Sequence, residues 1–259
     1  MHTARTHRLR WRPRPGCNFA GRATGPPEVF LADVKNHLIE LLPAGERLRL
    51  LAVCEPVELA LQEVLCEPQQ NASHVYFPME GFISLVAKID GHPGLEVGMV
   101  GSEGMVGAHL ALGVPASPLH AVVQGGGTAW RIEARLFRKA LAASPALRQG
   151  MDSYIYVLMR QLAAAAPCLR FHAIGPRLAR WLLMSQDRAH GDHFRVTHEF
   201  LAYMLGVRRA GVTVAAGALQ AGGLIDYSRG HVTVLDRQGL EAAACSCYAS
   251  DRQVYAALL

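Results

Sequence analysis

Apolar positions fall into two rhythms along this chain. From Glu28 to about Leu51 they recur at helical spacing: Val29, Leu31, Val34, Leu38, Ile39, Leu41 and Leu42, a break over residues 43–45, then Leu48, Leu50 and Leu51. Two short helices are predicted there. From Glu55 the rhythm changes to short runs punctuated by turn residues, VELAL, EVLCE, HVYFP, GFISLVAKI, LEVGMV, HAVVQ and TAWRIEA. This spacing predicts antiparallel strands closing into a roll or barrel. Past Glu133 the helical rhythm returns with Leu136, Phe137 and Leu141, and Ser144-Pro145 supplies the N-cap and first position of a longer helix. Along it Leu147, Met151, Tyr154, Leu158, Gln161 and Ala165 alternate at spacings of four and three, with Pro167 predicted to end the helix. That seam fits a two-stranded coiled coil and, equally, an amphipathic helix lying on its own roll. A further helix opens at Gly175-Pro176, with Leu178, Trp181, Leu182 and Met184 on its core face.

The next stretch, Thr197 to Gly222, carries the most chemistry. Thr197 is a good N-cap for a helix bearing Phe200, Leu201, Met204 and Leu205, because its hydroxyl can accept a hydrogen bond from a free backbone N–H. Gly206 can take the left-handed conformation that turns the chain, after which Val212, Ala216 and Leu219 restart the helical pattern. Ala202 leaves room for two helices to cross. These features predict a helix-turn-helix. Arg208 and Arg209 stand at the start of its second helix, where the dipole is positive and a cation is disfavoured. No acid occurs between Glu199 and Asp226, so a DNA phosphate or a guanine edge is the natural compensating partner. Two short strands around Ser228-Arg229-Gly230 then predict a wing whose tip offers Arg229 and His231 to phosphates. The candidate DNA-binding residues are therefore Arg208, Arg209, Thr213, Thr197, Arg229 and His231. A DNA reader in this position favours the dimeric reading of the long helix, since symmetric half-sites call for two copies. On that reading Leu147, Met151, Tyr154, Leu158, Gln161 and Ala165 form the dimer seam.

Composition narrows the picture. At 259 residues, 51% hydrophobic and 18% charged, the chain has ordinary globular content and length for two domains. Its net charge of +5 is unevenly placed: Arg5, Arg8, Arg10, Arg12, Arg14 and Arg22 all precede the first acid, Glu28, and the remainder is nearly neutral. Residues 1–27, rich in Arg, Pro and Gly and without an apolar period, are expected to be disordered. No signal-peptide core and no uninterrupted apolar span occur, so a soluble cytoplasmic protein without membrane contact is expected. The six cysteines, Cys17, Cys54, Cys66, Cys168, Cys245 and Cys247, are too dispersed for a disulfide framework. Cys245-Ser246-Cys247 is the one close pair, and a lone CxC is a weak zinc signal, so no metal site is assigned; redox sensing is the alternative for it. His109, His120, His172 and His198 are scattered and read as packing or surface residues. The glycines of GMVGSEGMVG, Gly98, Gly101, Gly104 and Gly107, read as a corner between strands or as a loop approaching a ligand. No HExxH, GxSxG, P-loop or paired-carboxylate constellation is present, which argues against an enzyme.

The order of roll, long helix, helix-turn-helix and wing resembles the Crp/Fnr family of bacterial transcription regulators over roughly Glu28 to Cys247. The segments that carry the resemblance are RLARWLLMSQDR, TxEFLAYMLGVRR and GLIDYSRGHVTVLD, with VYFPMEGFISLV and VGMVGSEGMVG in support. It implies an α+β fold: a cyclic-nucleotide-binding-like antiparallel β-roll over 28–143, a dimerisation helix over 144–167 and a winged helix-turn-helix over 168–259. It implies a homodimer on double-stranded DNA, RNA polymerase as a candidate further partner, and a small-molecule effector of unknown identity near Gly101, Glu103, Gly104, Gly107 and His120. Arg209 falls where the family places a base-reading arginine. Several positions depart from the pattern. Ala108 follows Gly107 where cyclic-AMP binders have a glutamate for the ribose, and Leu119 or His120 stands where they place an arginine on the phosphate, which argues against cyclic AMP. Only Cys17 precedes Cys54, so the N-terminal iron–sulfur cysteine cluster of oxygen-sensing members is missing. Ala210 replaces a common base-reading glutamate, leaving thymine methyls and DNA shape to contribute to recognition. The alternative function is a ligand-binding or protein-interaction module in which the winged helix is only a scaffold.

Overall fold

The computed structural model describes residues 34–90, 94–189 and 191–259. The basic tail, 1–27, and the first helical positions, Val29 and Leu31, lie outside the described residues. Two short helices, α1 (His37–Glu40) and α2 (Ala44–Leu51), open the described chain. Asn36 fixes them to later segments of the chain: its side chain caps α1 at Ile39 N and donates to the carbonyls of Pro78 and Gly104, both at 2.9 Å.

The seven apolar runs become seven strands in two antiparallel sheets. β1 (Glu55–Leu59), β7 (Gly127–Glu133) and β3 (His74–Pro78) form one, in the order β1-β7-β3. β2 (Val64–Cys66), β6 (His120–Gly125), β4 (Phe82–Ala87) and β5 (Leu95–Val100) form the other, in the order β2-β6-β4-β5. Between the sheets lie Leu59, Ile83, Val100, Val123 and Ala129. This is the expected β-roll.

Helices α3 (Ala134–Ala143) and α4 (Pro145–Phe171) come next, the second capped by the Ser144 hydroxyl at Leu147 N, 3.0 Å. The structure corrects two expectations for α4. The helix does not end at Pro167; it continues one more turn to Phe171. Ala163, whose carbonyl would have accepted the missing N–H, is exposed with Pro167, so water can satisfy it. The seam residues, moreover, face their own chain. Leu147, Met151 and Tyr154 are buried with Phe77, Met105 and Phe137 of the roll and α3, and Gln161 and Ala165 are buried farther along, where α9 also packs on the helix. Apolar side chains on the roll supplied the partner that a second helix was expected to supply.

The remainder is the winged helix: α5 (Ile174–Ala189), β8 (His193–Arg195), α6 (His198–Leu205), α7 (Arg209–Ala221), β9 (Ile225–Ser228) and β10 (His231–Val234). Its sheet runs β8-β10-β9. Two more helices, α8 (Arg237–Ala243) and α9 (Cys247–Leu258), end the chain. The core of this unit, around Leu178, Trp181, Leu201, Val212, Leu219 and Val232, also takes in Phe82 and Met99 of the roll. The unit is therefore docked on its own roll. Met204 of α6 packs with Val86 and Val122, and a Cβ at Gly206 would meet the Leu95 side chain at 2.6 Å.

At the centre of that contact the carboxyl of Glu96 on β5 accepts from Trp181 Nε1 at 2.9 Å and from the Ser84 hydroxyl. Glu96 is partly exposed as a residue, yet its carboxyl is enclosed, and burial pushes it up from 4.5 to about 7. Between those pH values the fold keeps a proton that the unfolded chain has released. Glu96 therefore gives its full contribution below pH 4.5, and that contribution is lost as the pH rises to about 7. Glu96→Gln is expected to flatten this part of the stability curve, measured by denaturant unfolding at a series of pH values. An unchanged slope would mean the folded protein does not hold the carboxyl protonated.

Candidate nucleic-acid interface

The helix-turn-helix forms as its local chemistry dictates. Thr197 caps α6 by accepting from Phe200 N at 3.2 Å, and Gly206 ends the helix at φ 62°, the left-handed value that a side chain disfavours. Val212, Ala215, Ala216 and Leu219 then turn inward, which leaves Arg209, Ala210, Thr213, Val214 and Gly217 exposed on the outer face of α7. Val214, 74% exposed, is an apolar side chain with no core to fill.

The tip of α7 meets the wing across a concavity of about 340 Å³ lined by Thr197, His198, Arg209, Tyr227, Arg229 and Gly230. Three of the six candidate DNA-binding residues, Thr197, Arg209 and Arg229, share it. Thr213 joins through a 3.0 Å hydrogen bond between its hydroxyl and His198 Nδ1, and it also donates to the Arg209 carbonyl at 3.1 Å. Arg208 and His231 are exposed but do not line this concavity. Arg229 sits at φ 51° in the wing turn, with Gly230 at φ 80° after it. A left-handed arginine is strained, and here it occurs at the point of the wing that projects farthest from the sheet ladder.

Two residues of this surface were not legible as such. The His198 ring stands edge-on to Tyr227 at 4.5 Å, and the Tyr227 hydroxyl donates to the Val196 carbonyl at 2.7 Å, joining wing to helix. Burial, with the Arg209 charge beside it, holds His198 below the usual histidine range, so it serves as a neutral hydrogen-bonding group. Nothing in the local sequence marks either residue, because their apposition comes from the fold of the wing. Among the described residues no carboxylate lies within ion-pair distance of Arg208, Arg209 or Arg229. Uncompensated cations at a helix N-terminus, beside backbone N–H groups, make a site for an extended polyanion.

The candidate effector residues do not converge. Glu103 accepts from Arg188 Nε at 2.7 Å and lines a cavity of about 370 Å³ with His37, Gln161, Arg188 and Tyr255. Gly101 lies against Arg188, and Gly104 lies under Tyr154, whose hydroxyl would stand 2.5 Å from an added Cβ. Gly107 turns at φ 97° over Val75, and His120 pairs with Glu67 at 3.1 Å. These glycines are bare because side chains of the same chain rest on them.

Residues 176–243 match the family model of the Crp-like helix-turn-helix domain. No curated protein sequence matches the chain. Solved structures do resemble it in fold. FixK2 from Bradyrhizobium japonicum has a TM-score of 0.64 at 15% identity, covering 75% of this chain and 98% of its own. CLP of Xanthomonas campestris, a c-di-GMP responsive global regulator, has a TM-score of 0.60 at 21% identity, with 74% and 99% covered. A CRP-family transcriptional regulator from Thermus thermophilus, TTHB099, has a TM-score of 0.59 at 22% identity, with 73% and 96% covered.

Residues 176–243 are thus a Crp-like helix-turn-helix domain, and the chain shares the fold of these regulators.

A helix-turn-helix of this kind is a DNA-binding element. Among the described residues no helix is long and apolar enough to cross a membrane. Among the described residues one group of side chains could hold a metal, and it brings His172 together with the CxC pair. Cys168, His172, Cys245 and Cys247 place their ligand atoms within 4.8 Å of one another. Cys168 stands four residues before His172, but a helix ending at Pro167 would not have put the two on one face.

Replacing Arg209 by Ala is expected to weaken operator binding by about 1–3 kcal/mol and to relax base preference at one position per half-site. Arg229→Ala should weaken binding evenly across sequences and reduce the slope of log affinity against log salt by about 1. Fluorescence anisotropy titrations over a salt series, with matched and mutated duplexes, separate the two effects.

Proposed function

We propose that this regulator binds operator DNA in the cytoplasm as a homodimer, with α7 in the major groove and the wing on the phosphate backbone. The observation that carries the reading is the acid-free concavity joining Thr197, Arg209 and Arg229, with Thr213 tied in through His198. Arg209 has the bidentate fork for a guanine edge, and the exposed methyls of Val214 and Ala210 suit thymine methyl groups. Arg208, Arg229 and His231 supply phosphate contacts. RNA polymerase is a further partner for a regulator of this class.

The dimer would use the outer face of α4, opposite the face that the roll covers. Asp152, Tyr156, Met159, Ala163 and Ala166 are exposed at alternating spacings of four and three, the pattern of a two-stranded seam. Tyr156 and Met159 are 48% and 56% exposed, and their apolar surface has no cover among the described residues. An effector would enter the cavity of about 370 Å³ beneath α9. Gln161 is 2% exposed and lines it, and neither polar atom of its amide has a hydrogen-bond partner among the described residues. A small polar ligand there would satisfy that amide and touch Glu103 and Arg188, which join the roll to α5.

Chromatin immunoprecipitation of the tagged protein, sequenced genome-wide, should return a palindromic motif whose half-sites lie about one helical turn apart. The absence of any enriched symmetric site would remove the operator-reading role. Met159→Glu is expected to shift the protein from dimer to monomer in size-exclusion chromatography with light scattering, because it places like charges across the seam. A variant that stays dimeric would move the interface elsewhere.

A further inference from the structure

Three thiols and one imidazole from two distant parts of the chain meet at the joint between α4 and the winged-helix unit. Cys168 and His172 come from the end of α4, and α5 begins only two residues later, at Ile174. Cys245 and Cys247 come from the start of α9, where the Cys245 N–H donates to the Pro176 carbonyl at 3.1 Å. The extra helical turn beyond Pro167 is what brings Cys168 and His172 onto one face, four residues apart. Ending the helix at the proline would leave that pair unformed.

We propose that Cys168, His172, Cys245 and Cys247 bind a zinc ion that staples α9 to the α4–α5 joint. The separations suit one ion. Tetrahedral zinc with its usual bond lengths sets sulfur–sulfur edges of about 3.8 Å and sulfur–nitrogen edges of about 3.6 Å. The Cys168 and Cys245 sulfurs are 3.7 Å apart, and Cys247 Sγ lies 3.6 Å from His172 Nδ1. An iron–sulfur cluster distributes its cysteines over several irons and spreads them farther apart than the 4.8 Å limit found here. A disulfide would need the sulfurs at about 2.0 Å and would leave the other two groups without a role.

The surroundings agree with a closed structural site. Cys168 and Cys245 are buried, while His172 and Cys247 are partly covered. Three thiolates and one neutral imidazole on a divalent ion carry one net negative charge. Arg180 faces it, with Nη1 3.7 Å from Cys168 Sγ, and is itself held by Asp251 of α9 at 2.7 Å. An N–H donor to a ligating sulfur is the usual outer partner of such a centre. Cys54 and Cys66 belong to no such group among the described residues.

The untagged full-length protein, purified under reducing conditions without added metal, should carry about one zinc per chain by inductively coupled plasma mass spectrometry. Cys247→Ser and His172→Ala should lower that content severalfold, and Cys54→Ser should leave it unchanged. Titrating Co²⁺ into the stripped wild-type protein gives a second readout that needs no variant to fold: intense visible bands of a tetrahedral site and a thiolate-to-cobalt charge-transfer band. Reduced wild-type protein with neither retained zinc nor a tetrahedral cobalt spectrum would overturn the proposal. So would iron with inorganic sulfide in place of zinc, or a Cys168–Cys245 disulfide in protein prepared without air.

Discussion

The attachment of the winged-helix unit to the β-roll is pinned by one charge pair, Arg188 with Glu103. Arg188 is at the last turn of α5 and its side chain is 8% exposed; both its Nε and Nη2 reach the same oxygen of Glu103 at 2.7 Å. That oxygen also accepts from Gly101 N at 3.1 Å, so the carboxylate is held by its own loop before the arginine arrives. A buried arginine without its partner would cost about 3–5 kcal/mol, which makes the pair a register pin for the whole contact. Gly101 is bare for the same reason: an added Cβ would stand 2.6 Å from Arg188 Cγ. Around this pin the apolar contacts of Phe82, Met99 and Trp181 and the enclosed Glu96 carboxyl fill the interface.

The pin bridges the two units directly, since Glu103 belongs to the loop after β5 and Arg188 to the helix that packs behind α6 and α7. The Arg177 guanidinium donates to the Leu205 carbonyl in the same way, tying α5 to the last turn of α6 just before the Gly206 corner. The recognition helix is thus held from behind by buried polar contacts, while its outer face carries only exposed groups. Rigid support behind a surface of few reading side chains suits a protein that depends on the position of a helix tip more than on many base contacts.

α4 shows how one amphipathic pattern is divided between two partners. Leu147, Met151 and Tyr154 point into the roll, where Tyr154 donates to the Met105 carbonyl at 3.0 Å across the top of Gly104. The opposite stripe through Tyr156 and Met159 is exposed among the described residues. Both stripes alternate at spacings of four and three, so periodicity alone cannot say which faces the roll. The inward stripe is decided by the volume between α4 and the strands, which large side chains fill and the alanines of the outer stripe would not.

What the amino-acid order determined by itself is the set of elements whose causes are local. The strands of the roll arise from short apolar runs, α6 from the Thr197 cap, its end from Gly206, and the wing from the turn at residues 228–230. The exposed arginines at the tip of α7 were legible for the same reason, since helical spacing assigns the face. Tertiary structure alone decided the features that join distant segments: the inward stripe of α4, the passage of that helix through Pro167, the meeting of His198 with Tyr227, and the gathering of Cys168 and His172 with Cys245 and Cys247. Each depends on which surfaces pack together, a many-body choice of volume and buried polar pairing that no window of sequence contains.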